Sequence, residues 1–141
     1  MTPENKAKKE YLLRYKWGVK ALKQIDREIT QLRLHALPGG ISYDGMPHGS
    51  GGNGADLANY AAELDKYEMK FKAQRKVILR TLDEILYSIE SVENLKSQIL
   101  LRYLYVELRE WGDIADLMGY SEDYVRQELH SNALRDFQIP T

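Results

Sequence analysis

The sequence predicts an all-α protein built as a long N-terminal antiparallel helical hairpin followed by a module of three shorter helices. Three observations lead there. Apolar residues step by three or four along two long stretches that lack internal Pro. Seven of the ten Gly crowd between Gly39 and Gly54 and separate those stretches. No period-two alternation of the kind a strand needs persists anywhere.

The first stretch carries Leu12, Tyr15, Val19, Leu22, Ile25, Ile29, Leu32 and Ala36 on one stripe. The segment PGGISYDGMPHGSGGNG, residues 38–54, follows. Gly costs about 1 kcal/mol and Pro about 3 kcal/mol at a helix interior, so this segment is a loop. The second stretch carries Leu57, Tyr60, Leu64, Tyr67, Phe71, Ile78, Leu82, Ile85 and Ile89, interrupted at Gln74 and Arg75. Two helices of this length across one loop make an αα-hairpin with a narrow coiled-coil seam. A two-helix hairpin buries little, so residues 1–91 are expected to self-associate, as a dimer, or to meet a partner helix.

Ser91 or Asn94 caps a third helix, expected from Leu95 to Leu108. Its two apolar rows, Leu95–Ile99–Tyr103 and Leu100–Leu104–Leu108, imply a wide buried face. Short helices at 111–118 and 122–136 complete a second domain, residues 92–137. The spacing of Ala115, Gly119 and Val125 is that of a helix-turn-helix. A small residue is needed at 115 where the second helix crosses. Gly119 supplies the positive φ of the tight turn. Ser121 caps the next helix. Val125, Leu129 and Ala133 face inward, and Asp123, Gln127, Ser131 and Leu134 point the other way. Tyr124 and His130 flank that outer row, with Arg126 at its rim. Ser121, Asp123, Tyr124, Arg126, Gln127 and His130 are therefore the candidate DNA-binding residues, since Arg suits guanine and Gln adenine. A plain three-helix bundle uses the same small and apolar residues.

Charge shapes what this module does. The chain of 141 residues has net charge −1. Residues 1–37 carry nine Lys/Arg against four Asp/Glu, whereas residues 92–141 carry five against nine. An acidic reader holds phosphate weakly. The Lys-rich start (Lys6, Lys8, Lys9, Arg14, Lys16, Lys20, Lys23) is then a candidate phosphate contact, or simply a solvated face.

The stretch from Ile99 to Leu134 resembles region four of the sigma-70 family. The matching pieces are LLRY (100–103), W-x-x-IA (111–115), Gly119-x-Ser121, V-R-Q (125–127) and LH-x-x-AL (129–134). The helical N-terminal half with its DGMPHGSGG loop (44–52) is similar to the ArpU- and RinA-like late transcription activators of phages and prophages. The resemblance implies double-stranded DNA and RNA polymerase as partners, promoter recognition and no catalysis. Two departures stand out. Relatives often place Gly and then Ser/Thr before the Trp, where this chain has Glu107-Leu108-Arg109-Glu110. The segment from Val125 to Leu129 is one residue longer than in some relatives, which puts Glu128 at an apolar position and leaves Leu129 to take the inward place.

Other chemistries find little footing. Gly40-x4-Gly45 opens like a P-loop, but Met46-Pro47 replace its Lys-Ser/Thr. His35, His48 and His130 form no helical pair and no Cys exists, so neither metal nor cofactor is expected. Carboxylate pairs such as Asp113/Asp116 and Glu122-Asp123 lack a gathered nucleophile or base. No secretory signal or apolar run of spanning length is visible, so the expected compartment is the cytoplasm. Two functions besides promoter binding remain open. One is an adapter that docks on polymerase or another factor without reading DNA. The other is a structural coiled coil in phage assembly.

Overall fold

The computed structural model describes residues 1–36 and 53–141, with side chains from 56 onward in the second stretch. The expected loop of residues 38–54 lies outside the described residues, except that Asn53 and Gly54 already belong to the helix that follows it. All regular structure among the described residues is helical. It comprises α1 (Pro3–Ala36), α2 (Asn53–Glu90), α3 (Leu95–Leu101), α4 (Trp111–Met118), α5 (Glu122–Tyr124) and α6 (His130–Asp136). Two single turns of π-helix, Arg102–Val106 and Val125–Leu129, extend α3 and join α5 to α6.

The chain forms two compact units, residues 20–76 and residues 1–19 with 77–141. The division runs through both long helices. The first unit pairs the C-terminal half of α1 with the N-terminal half of α2. Arg33 reaches Glu68 at 3.6 Å. The stripe positions Leu22, Ile25, Leu32, Tyr60, Leu64, Tyr67 and Phe71 are half-buried, as the periodicity requires, and Gln74 takes the place between Phe71 and Ile78. Ile29 is the one described residue of this unit that is buried.

The second unit holds the main core. Leu12 of α1 and Ile85 and Ile89 of α2 pack with Leu100, Leu101, Tyr105, Ile114, Val125, Leu134 and Phe137. Fully burying such a side chain stabilises by about 1.5–3 kcal/mol. Asn94 is the cap of α3: its side chain accepts from Ser97 N–H at 3.1 Å. Ser97 is buried and its hydroxyl donates to Asp136 at 2.7 Å, tying the start of α3 to the end of α6.

The third helix is shorter and narrower than its sequence suggested. It closes at Val106, where Glu107 N–H donates to Arg102 O at 2.9 Å. Leu108 then leaves the helix at φ +56°. Of the first apolar row, Leu95 and Ile99 face solvent and Tyr103 packs at the edge of the core. Of the second, Leu100 is buried and Leu104 and Leu108 are half-buried, while Leu101 and Tyr105, in neither row, enter the core. The backbone at Leu108 sits in the left-handed region, where glycine is comfortable and leucine is strained. The helix after it starts at Trp111 with Glu110 as a cap that makes no side-chain hydrogen bond.

Gly119 ends α4 at φ +78°, with its own N–H and that of Tyr120 donating to Ala115 O. A Cβ there would meet nothing within 4 Å, so backbone conformation alone demands glycine. Gly119→Ala should cost about 1 kcal/mol in chemical denaturation. At Leu108, the Gly variant should be more stable than the Ala variant by about 0.5–1 kcal/mol, because both lose the same side chain and only one relieves φ.

Candidate functional site

The three-residue turn Gly119–Ser121 aims the second helix of the C-terminal pair. Ser121 is extended at φ −71°, ψ 153°, and its hydroxyl accepts from Tyr124 N–H at 3.2 Å. Its oxygen is thereby committed to capping. Ala115 is buried beneath the helix crossing, next to Ile114. Val125, Leu129 and Ala133 face the core as their spacing predicts.

Asp123, Tyr124, Arg126, Gln127 and Glu128 are exposed. The rings of Tyr120 and Tyr124 lie 5.1 Å apart, and the Lys96 ammonium sits 5.2 Å from the Tyr120 ring. Tyr120 is the main influence on this ammonium and raises its pKa above the ordinary lysine value. Arg126 lies 5.6 Å over Trp111 and 3.8 Å from Glu122. Both members of that ion pair are half exposed, so it holds the guanidinium loosely.

Two sequence expectations are corrected. His130 is not a surface residue: it is 4% exposed, and its Nε2 lies 2.7 Å from the Tyr105 hydroxyl. Leu134 is fully buried and not on the outer row. The cause is the π turn at Val125–Leu129, where His130 N–H donates to Val125 O. Each π residue advances the helix by less than the 100° of an α-helix, so five of them retard the phase by roughly a quarter turn. Assigning faces at a constant 100° per residue therefore misplaces His130 and Leu134 while still placing Ala133 inward.

The imidazole is enclosed. Tyr105 bonds it, the Trp111 ring meets it edge-on at 5.1 Å, and the Lys9 charge acts on it from α1. Burial, with Lys9 as the smaller influence, lowers the His130 pKa from 6.5 to about 4. Burial likewise pushes the Tyr105 phenol up. With both groups neutral, a single proton bridges the phenol oxygen and Nε2, and the imidazole tautomer decides which of the two donates.

The N-terminal turns of α1 lie beside the second half of this helix. Asn5 Nδ2 donates to Ser131 O at 3.4 Å, and Lys8 Nζ donates to Arg135 O at 3.1 Å. These neighbours come from opposite ends of the chain, and helical periodicity carries no signal of such a pairing.

Among the described residues, no group of three or more His, Cys, Asp or Glu is placed to hold a metal ion. No described helix is long and apolar enough to cross a membrane. Compared with models of known protein families, with curated proteins and with solved structures, the chain matches none.

The depressed His130 pKa sets a pH dependence. The unfolded chain takes up this proton near pH 6.5, and the folded chain only near pH 4. Its contribution to stability is complete above pH 6.5 and is lost as pH falls toward 4, by about 3 kcal/mol in total. Urea titrations across that window should show the loss, and His130→Gln should flatten the slope that this one proton produces.

Proposed function

We propose that the chain is a sequence-specific DNA-binding transcription regulator of the phage type, acting in the cytoplasm with RNA polymerase at a promoter. The single observation that carries this is the exposed row Asp123, Tyr124, Arg126 and Gln127 on a Ser-capped helix, set at a left-handed glycine turn against the helix before it. That is the geometry in which a recognition helix enters the major groove. The resemblance to sigma region four over residues 99–134 supports the same assignment and suggests polymerase contact. Arg126 and Gln127 are the base-reading residues, Asp123 and Tyr124 contribute at the N-terminal end of the helix, and Ser121 acts as its cap. His130 acts through Tyr105 on the phase of the helix and touches no base. The mechanism is recruitment or repositioning of polymerase, with no catalytic step, metal or cofactor.

The N-terminal half forms an antiparallel hairpin that joins two copies. The half-buried seam from Leu22 to Leu32 and from Tyr60 to Phe71 supports this. A dimer places two weak readers on two half-sites and multiplies their modest affinities.

One observation favours a second reading. Glu122, Asp123 and Glu128 are all exposed on the same helix and repel phosphate. As an adapter, the module would dock on a protein without reading bases.

Selection of bound fragments from sheared bacterial and prophage DNA separates these. A regulator enriches one short motif, with two-fold symmetry if it is a dimer. Arg126→Ala with Gln127→Ala should relax that motif at the contacted positions, at a cost of about 1–3 kcal/mol per base contact. An adapter enriches nothing and keeps its protein partner in the double variant. Sedimentation equilibrium should give twice the chain mass; a monomer at micromolar concentration would remove the two-half-site mechanism.

A further inference from the structure

An acidic reader needs cations from elsewhere, and the fold brings them to it. On α1, Asn5, Lys8, Lys9 and Leu12 fall at i, i+3, i+4 and i+7, one helical face. Leu12 at the far end of that face is fully buried in the core, and Asn5, Lys8 and Lys9 are half-buried toward its N-terminal end. This face lies along the C-terminal half of the second helix, through the Asn5–Ser131 and Lys8–Arg135 hydrogen bonds. Between the two elements runs an open polar groove of about 650 Å³, whose lining includes Glu4, Asn5, Lys8, Asn132, Arg135 and Gln138. Amide and hydroxyl groups dominate it, with Lys8 and Arg135 as its cations and Glu4 as its one carboxylate. The Arg135 side chain is 71% exposed, and its ion pair with Asp136 is long, at 3.9 Å, so a phosphate can compete for the guanidinium.

We infer that this groove is a phosphate-backbone site for duplex DNA, in which Lys8 and Arg135 neutralise successive phosphates and the amides of Asn5, Asn132 and Gln138 donate to their oxygens. The inference rests on the DNA-binding reading above and adds a contact outside the base-reading row. Residues 1–19 carry five Lys/Arg against two Glu, so α1 supplies the positive field that the module itself lacks. The competing role for Lys8 is local: its ammonium also satisfies a carbonyl at the C-terminus of α6.

The test is a salt titration of binding with the full chain. A fluorescent duplex of about 30 base pairs of mixed sequence is titrated at several salt concentrations, alongside any motif-bearing fragment. Lys8→Gln and Arg135→Gln should each weaken binding several-fold and reduce the slope of log affinity against log salt by about one, equally on both duplexes. Arg80→Gln, an equal charge change outside the groove, is the control and should leave the slope unchanged. Thermal melts accompany each variant. If Lys8→Gln lowers the melting temperature and Arg135→Gln leaves the slope intact, the groove is structural and the proposal is overturned. If both variants bind random duplex normally and fail only on the motif, the residues read sequence, and the phosphate assignment is overturned. If the wild-type chain binds neither duplex at low salt, the DNA-binding reading itself fails and takes this site with it.

Discussion

The buried hydrogen bond between Tyr105 and His130 is the constraint on which the presentation of the candidate helix depends. Each residue belongs to, or directly follows, a turn of π-helix, so two local departures from α-geometry meet at one 2.7 Å contact. An imidazole this enclosed is tolerated only with a partner, because an unsatisfied buried polar group costs about 1–3 kcal/mol. The bond therefore stabilises the wide turn that brings His130 inward. That turn in turn brings Ala133, Leu134 and Phe137 to the core and leaves Arg126, Gln127 and Glu128 outside. The rotational setting of the exposed row follows from packing several residues further along the chain.

Charge is organised by the same packing. The C-terminal module is acidic, and the N-terminal turns of α1 are basic. Individual surface pairs such as Arg14–Glu84, 3.2 Å apart, contribute little in water. Anchoring α1 falls instead to Leu12, whose burial against the core carries the polar residues one and two turns before it to the flank of α6. Hydrophobic energy thus determines where the cations stand, and the cations determine what the module can approach.

The unit formed by residues 20–76 follows a different logic. Its apolar stripe is narrow, and a single described residue in it is buried. Such a seam places side chains in register without supplying much stability. The other unit closes a core of its own.

The sequence alone determined the all-α class, both long helices, the Gly119 turn, the Ser121 cap and the inward face Val125–Leu129–Ala133. Each of these is a local matter: helical period, glycine's access to positive φ, and a hydroxyl that reaches a neighbouring N–H. Even Asn94 was one of two caps already named. Tertiary structure decided the rest. His130 and Leu134 lie inside because a π turn shifts the phase, and sequence periodicity assumes a constant 100° per residue. Leu95 and Ile99 lie outside because the core takes Leu100, Leu101 and Tyr105, a face that its packing partners select. Lys8 stands beside Arg135 because Leu12 is buried, a contact across more than a hundred residues that no local pattern encodes. What is written within four residues was legible; what depends on which distant surface fills a space was not.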